Sequence, residues 1–241
     1  MIYVILSDIH SNLQAFDAVI RSFPKEDDVR IICAGDIIGY GANPVECMNI
    51  MREEGIKSVL GNHDAGLVGK MDMSRLTAHA VEALNWTSGQ IKKQDFDYLD
   101  QLPFVLTENE FQVVHGTLDA PEEFAYLTGS VEALRTFEVL KTRICFVGHT
   151  HRPGVYMEMD GKIYQFSKKE IILDDSANYI INVGSVGQPR DYDNRACYCV
   201  YYPTEGIVEF RRVEYDIKSA KKAILRAGLP ESLGERLLTG R

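Results

Sequence analysis

Residues 2–10 read IYVILSDIH, a short apolar run that ends in an aspartate and a histidine two positions apart. A short run of consecutive apolar residues predicts a strand buried on both faces. In an extended segment, the i, i+2 spacing of Asp8 and His10 puts both side chains on the same side of the chain. The stretch therefore predicts a core strand that brings a carboxylate and an imidazole together at the edge of a sheet.

The same arrangement recurs along the chain. Four more polar segments each follow an apolar run: Gly35-Asp36, Gly61-Asn62-His63-Asp64, His115-Gly116 and Gly148-His149-Thr150-His151. Polar groups placed in this way emerge together where neighbouring strands end. One such pair alone also occurs in ordinary surface loops, but the whole set favours a metal site. Imidazole, carboxylate and carboxamide groups suit borderline divalent metals such as Mn, Fe, Ni or Zn, and they exceed what one tetrahedral ion needs.

The first half of the chain alternates strand-like runs with helical ones, which predicts βαβ units and an α/β fold. Apolar residues between Leu13 and Phe23 recur at helical spacing, and Ser130 is expected to cap a further short helix. Beyond His151 the pattern becomes antiparallel β, with a hairpin turn at Asp160-Gly161. A second sheet is expected there, continued by residues 179–183, 196–202 and 206–215. No linker divides the chain, so residues 1–241 are expected to form a single domain.

Composition narrows the class of function. Lys+Arg number 26 and Asp+Glu 35, and the resulting net charge of −9 argues against general binding to nucleic acid or to anionic membranes. No apolar stretch approaches the roughly 20 residues of a membrane helix. The five cysteines lack C-x-x-C spacing and are expected to be reduced, buried thiols. With no signal-peptide pattern at its start, the chain is expected to be cytoplasmic.

The motifs D-x-H, G-D-x-x-G, G-N-H-D, H-G and G-H-T-H, in this order, resemble those of the calcineurin-like metallophosphoesterases. Residues 35–41 and 182–191 resemble further signatures of the compact bacterial and archaeal phosphodiesterase-like subgroup. The resemblance implies a mixed α/β fold of two packed mixed β-sheets flanked by helices, with the site at the carboxyl ends of the central strands.

The resemblance also implies a ligand set for two divalent ions. Asp8, His10, Asp36 and His151 would hold one ion, and Asp36, Asn62, His115 and His149 the other. Asp36 would then bridge the two ions, which lower the pKa of a shared water and give a metal-bound hydroxide that attacks phosphorus.

His63 has no metal in this assignment, and the resemblance implies that it is catalytic. A cationic imidazole could stabilise phosphoryl oxygens or protonate the leaving alkoxide, while Asp64 holds the ring and favours its protonated form. Asn62, Asn12 and Arg190 are candidates for substrate contacts. Arg190 could grip a distal phosphate or could equally tie carbonyls of the neighbouring glycine-rich turn.

The leading hypothesis is a metal-dependent phosphodiesterase that acts on small phosphorylated substrates. A phosphomonoesterase or protein phosphatase and a dinucleoside polyphosphate hydrolase are the alternatives within the same chemistry. A non-catalytic metal-binding interaction scaffold is the alternative of another class.

Overall fold

Two six-stranded mixed sheets form the centre of the structure, a computed structural model that describes residues 1–26 and 28–241. The strands are β1 Ile2–Leu6, β2 Val29–Cys33, β3 Lys57–Ser58, β4 Val105–Thr107, β5 Phe111–Val114, β6 Ile144–Val147, β7 Gly154–Met159, β8 Lys162–Phe166, β9 Glu170–Ile172, β10 Asn178–Asn182, β11 Ala196–Tyr202 and β12 Ile207–Val213. The first sheet has the order β3-β2-β1-β11-β12-β9, and the second has the order β4-β5-β6-β10-β7-β8.

Helices cover the outer faces of both sheets. They are α1 Leu13–Arg21, α2 Pro44–Glu53, α3 Asn62–Leu67, α4 Ala78–Ser88, α5 Lys93–Asp100, α6 Ser130–Val139, α7 Ile217–Arg226 and α8 Glu231–Thr239. Helices α1, α2, α4 and α5 contribute buried apolar residues to the core outside the first sheet, and α6 does so outside the second. Helices α7 and α8 pack on each other, and α7 also packs on α1.

Strand β1 is central because it is apolar on both faces. Tyr3 and Ile5 point into the core between the two sheets, whereas Val4 and Leu6 point into the core beneath the helices. Full burial of a large aliphatic side chain contributes about 1.5–3 kcal/mol. Strand β1 pairs in parallel with β2 and antiparallel with β11, so its carboxyl end lies in the middle of the sheet edge. Asp8 and His10, which follow β1 in the chain, therefore lie at the middle of this edge.

Two details differ from the sequence-based expectations. Residues 179–183, 196–202 and 206–215 were all expected to continue the second sheet. Of the three strands that they form, β10 pairs with β7 of the hairpin β7–β8 and, in parallel, with β6, whereas β11 and β12 join β1 in the first sheet. Apolar alternation shows that a strand is buried but does not show which edge receives it. Helix α6 begins at Ser130, but the residue in the N-cap position is Gly129, with no side-chain cap.

The five cysteines are free and buried, as expected. Among the described residues, no helix combines the length and apolar character that crossing a membrane requires.

Candidate active site

The polar segments come together at the carboxyl ends of β1, β2, β5 and β6 and at the start of α3. Backbone hydrogen bonds join their loops: the amides of Asp8 and His10 donate to the carbonyls of Gly35 and Asp36, both at 3.0 Å. The amide of Gly148 donates to the carbonyl of His115, also at 3.0 Å. The candidate ligands are all buried. The chain therefore gathers residues as far apart as Asp8 and His151 into one buried cluster.

Three of these histidines are oriented by backbone carbonyls. Nδ1 lies 3.1 Å from the Ile38 carbonyl in His10, 2.7 Å from the Ala34 carbonyl in His115 and 2.6 Å from the Gln188 carbonyl in His151. A carbonyl oxygen only accepts, so Nδ1 carries the proton in each ring and Nε2 is the atom left for a metal. The Nε2 atoms of His10 and His151 are 3.1 Å apart. Two imidazole lone pairs this close repel each other unless a cation or a proton lies between them.

The two aspartates face these nitrogens. Oδ1 of Asp8 lies 3.1 Å from Nε2 of His151 and has no hydrogen-bond partner among the described residues. Oδ2 of Asp36 lies 3.3 Å from Nε2 of His115 and 3.6 Å from Nε2 of His10. Asp36 therefore has one oxygen within reach of both halves of the cluster, which is the position that a bridging carboxylate requires.

Asn62 and His149 complete the second half. Oδ1 of Asn62 is 3.0 Å from Nε2 of His115. Nε2 of His149 is buried and has no hydrogen-bond partner in the part of the chain that the structure describes. An unpaired buried polar atom is costly unless something else binds it. The donor set and its unpaired atoms fit divalent metal ions.

Three overlapping groups have one donor atom from each residue within 4.8 Å of the others: Asp8, His10 and His151; Asp36, His115 and His149; and His10, Asp36 and His63. The first two groups correspond to the two halves of the predicted ligand set. The third shows that His63 is also close enough to act as a ligand.

Charges in the cluster are strongly coupled. Burial alone would lower the pKa of His115, but the carboxylate of Asp36 raises it to about 9. Burial works against ionisation of Asp36, yet His115 and His63 hold the pKa of its carboxyl well below the usual range. With a pKa of about 9, the His115 ring carries a proton on both nitrogens near pH 7; Nδ1 faces the Ala34 carbonyl and Nε2 faces the Asp36 carboxylate. A metal ion that binds Nε2 would displace the second proton.

The expected role of Asp64 needs correction. Its carboxylate accepts hydrogen bonds from the backbone amides of Ile37, Ile38 and Gly61 at 3.1–3.3 Å. The structure gives it no bond to the ring of His63, whose Nδ1 has no partner among the described residues. Burial and the nearby Asp36 raise the pKa of Asp64 to about 7. Asp64 thus holds together the loop of Asp36 and the start of α3 rather than orienting an imidazole.

For His63, the burial of the ring favours the neutral imidazole over the cation expected from the sequence. Burial lowers the pKa of its imidazole to about 4, although Asp36 acts in the opposite direction. Its backbone amide donates to Oδ1 of Asp36 at 2.9 Å, and its ring lies against His10 and Tyr40 with centroid distances of 4.7 and 4.5 Å. His63 is therefore a neutral, tightly packed ring at the edge of the cluster.

Strained backbone is concentrated at the site. Positive φ angles occur at Asp8, His10, Asp36, His149 and His151. A residue other than glycine in this region costs of order 1–3 kcal/mol and persists only where the surroundings enforce it. Gly148 has a different role, since a Cβ there would collide with the hydroxyl of Ser7 and lie 2.7 Å from Oδ2 of Asp8. The surrounding structure therefore holds these residues at strained backbone angles that direct their side chains into the cluster.

The candidate substrate contacts have different outcomes. Asn12 caps α1 through Oδ1, and its Nδ2 donates to the Gly187 carbonyl at 2.8 Å. Both polar atoms therefore make contacts within the protein, and the substrate contact by Asn12 stays a prediction. Nε and Nη2 of Arg190 donate to the side-chain oxygen of Gln188. The Arg190 guanidinium also lies 5.6 Å above the ring of Tyr40, so it binds an amide side chain rather than turn carbonyls.

Tyr126 lies at the site, although no sequence motif identified it as a site residue. Its ring stacks on His149 with a centroid distance of 3.8 Å and an interplanar angle of 16°, and it is 52% exposed. It follows Phe124, which packs against His115. No motif marks this loop. The only available signal is an aromatic pair downstream of His115-Gly116.

Two cavities meet at Tyr126. The first, here called the aromatic cavity, has a volume of about 380 Å³ and is lined by Tyr40, Asn62, His63, Phe124, Tyr126 and His149 among others. The second, here called the arginine cavity, has a volume of about 350 Å³ and is lined by Tyr126, Thr150, Arg152, Gln165, Asn182 and Arg190 among others. A ligand above the cluster therefore has space on two sides.

Two mixed sheets with an aspartate–histidine cluster at the strand ends define a metal-dependent phosphoesterase. The sequence profile of the calcineurin-like phosphoesterase superfamily domain matches residues 1–206, and the chain belongs to this superfamily. It is a phosphoric ester hydrolase.

Relatives match along the full length. The chain is 41% identical over 242 residues to uncharacterized protein MJ0912 of Methanocaldococcus jannaschii, covering 98% of this chain and 97% of that protein. It is similar to the crystal structure of a metallophosphoesterase from Sphaerobacter thermophilus, with a TM-score of 0.85, 36% identity and coverage of 100% and 99%. Hypothetical protein PH1004 of Pyrococcus horikoshii shares the fold, with a TM-score of 0.80, 20% identity and coverage of 100% and 98%.

Proposed function

We propose that the chain is a phosphodiesterase for small phosphate esters with a dinuclear metal centre. The observation that carries the proposal is the position of Asp36, whose Oδ2 faces Nε2 of both His115 and His10. Asp8, His10, Asp36 and His151 would hold one ion, and Asp36, Asn62, His115 and His149 the second. Two divalent ions held there would lower the pKa of a water molecule and offset the charge of the phosphoryl oxygens.

His63 is proposed to donate a hydrogen bond to the leaving oxygen. It lines the aromatic cavity beside Asn62 and His149, so a leaving group in that cavity lies next to its ring. A neutral imidazole carries one N–H and can still act as a donor. The His63 ring is only 3% exposed, and a hydrogen bond is stronger in such low-dielectric surroundings. Asp64 contributes by fixing α3, on which His63 lies, against the loop of Asp36.

The preference for diesters rests on the two cavities. A phosphomonoester has one organic substituent and fills one of them, whereas a diester or an anhydride has a substituent for each. Tyr126 lines both cavities, so the two substituents would occupy neighbouring cavities that share this residue.

The test compares two chromogenic substrates on protein loaded with Mn²⁺. We expect kcat/KM for bis(p-nitrophenyl) phosphate to exceed that for p-nitrophenyl phosphate by about tenfold or more, the effect of roughly 1.4 kcal/mol of added binding. The reverse preference would indicate a phosphomonoesterase or protein phosphatase. Absence of both activities in metal-replete protein would favour an interaction scaffold, and dinucleoside polyphosphates tested in parallel address the remaining alternative.

A further inference from the structure

Two arginines line the arginine cavity, and neither forms an ion pair with an acidic side chain among the residues that the structure describes. Within residues 1–26 and 28–241, neither Arg152 nor Arg190 lies within 4.0 Å of a carboxylate. Arg195, Arg211 and Arg212, which lie further along the chain, are each paired with an acidic residue. Two unpaired guanidinium groups in one cavity are unexpected in a chain of net charge −9.

The cavity is also organised by hydrogen bonds. Nε of Arg152 donates to the backbone carbonyl of Arg190 at 2.9 Å, and Nε and Nη2 of Arg190 donate to Gln188. These contacts orient each guanidinium but use only part of its five donors. Nδ2 of Asn182 donates to Oγ1 of Thr150 at 2.9 Å, which fixes a further polar pair on the wall. Oriented donors in a concave site are typical of anion recognition.

The cavity adjoins the reacting centre. Thr150 lies between the candidate ligands His149 and His151 in the chain, and the backbone amide of Arg190 donates to the His151 carbonyl at 3.2 Å. The Arg190 guanidinium also lies 5.6 Å above the ring of Tyr40, which lines the aromatic cavity together with His63. An anion bound here would lie beside a phosphoryl group at the metal cluster.

We propose that the arginine cavity is a subsite for a second phosphate group of the substrate. The preferred phosphoesters then carry this group on the side of phosphorus away from the leaving group. The leaving group occupies the aromatic cavity, next to His63. This assignment rests on the proposed function for the position of the reacting phosphorus, but binding of the second phosphate does not depend on turnover.

The test uses two substrates that differ only in the second phosphate: thymidine 5′-(p-nitrophenyl phosphate) and its 3′-phosphorylated form. Both release p-nitrophenol. On Mn²⁺-loaded protein we expect KM to be at least about tenfold lower for the 3′-phosphorylated substrate, as expected for charge-assisted hydrogen bonds. In Arg152→Met this ratio of KM values should fall to between one and three.

Arg226→Met is the matched control, because Arg226 is exposed on α7 and the substitution removes the same charge. It should leave the ratio unchanged. Both substrates are measured on one preparation of each variant, so partial misfolding lowers the two rates together and does not alter the ratio.

A binding measurement separates this proposal from the proposed function. In protein dialysed against EDTA, thymidine 3′,5′-bisphosphate should bind at least about tenfold more tightly than thymidine 5′-monophosphate in isothermal titration, and Arg152→Met should remove the difference. This preference without release of nitrophenol would support the subsite and overturn the proposed phosphodiesterase activity. Release from both substrates with equal KM, together with equal binding, would overturn the subsite and leave the hydrolase intact.

Discussion

His63→Ala distinguishes two roles for His63, that of a catalytic residue and that of a metal ligand. The position of its ring permits both roles. Its ring can meet a metal together with His10 and Asp36. However, Asp8, His10, Asp36, Asn62, His115, His149 and His151 already supply donors for two ions without it. If His63 assists the leaving group, the alanine variant should bind as much Mn²⁺ as the wild type. The backbone amide that bonds Asp36 is retained in alanine.

The expected loss of activity is a factor of about 10²–10³, the usual effect of removing one positioned hydrogen-bond donor from an oxygen that gains negative charge, or roughly 2.7–4 kcal/mol of transition-state stabilisation. The loss should be greater for a poor leaving group such as an alkoxide than for p-nitrophenolate, whose charge needs less stabilisation. Removal of the ring should lower the free energy of unfolding by only about 1–2 kcal/mol. This is below the usual 2–5 kcal/mol of a sealed core cavity, because the space opens into the aromatic cavity and water can enter it.

The assay combines inductively coupled plasma mass spectrometry of Mn²⁺ per chain with kcat for two diesters of different leaving groups. His79→Ala is the control: His79 is exposed on α4, where its Nδ1 lies 3.3 Å from the Ser232 hydroxyl. It should leave metal content and turnover unchanged. Loss of one equivalent of metal in His63→Ala would show that His63 is a ligand. Unchanged turnover in the metal-loaded variant would remove it from the reaction.

Three further predictions concern the metal cluster. Asp36→Asn should weaken the binding of both ions by at least about 10²-fold, which exceeds the usual effect of losing a residue that only hydrogen-bonds to a metal ligand. Equilibrium dialysis that still found one tightly bound ion would contradict the bridging role. Gly148→Ala should lower the free energy of unfolding by about 1–3 kcal/mol and reduce metal binding, because the added Cβ displaces Asp8. Gly89→Ala is the control, since the nearest atom to its Cβ would be 3.4 Å away, and it should change neither quantity. Because Asp36 raises the pKa of His115 to about 9, metal must displace a proton at pH 7. The logarithm of the metal affinity should therefore increase with pH up to about 9, and affinity independent of pH between 6 and 8 would show that His115 is already neutral.

The sequence predicted the gathering of the motifs because the rule behind it is local. A polar segment after an apolar run lies at a strand end, and parallel neighbours such as β1 and β2 bring their ends to one edge. The same reasoning could not assign β11 to the sheet of β1, since pairing between distant strands depends on the packing of the whole chain. Fold class was therefore accessible from the sequence, whereas sheet membership was not.

The misassigned roles have a related cause. Asp64 directly follows His63, and adjacency suggested an ion pair, but α3 begins at Asn62. In a helix, neighbouring residues point in directions about 100° apart. The carboxylate therefore turns towards the free amides of the Asp36 loop. Tyr126 was missed for the opposite reason, since it reaches His149 only through a loop whose path the sequence does not specify.

The strained backbone at the ligands shows how the fold can preorganise a site. Asp8 has positive φ, yet its amide bonds the Gly35 carbonyl and its own carbonyl accepts from the amide of Gly187 at 2.8 Å and the hydroxyl of Ser185 at 2.9 Å. These bonds connect Asp8 to two loops, residues 34–43 and residues 183–195, so neither loop alone can relax the strain. Preorganisation of this kind transfers the ordering cost from metal binding to folding. The energy stored in these residues is then a property of the fold, and it is offset by the two apolar cores on either side of β1.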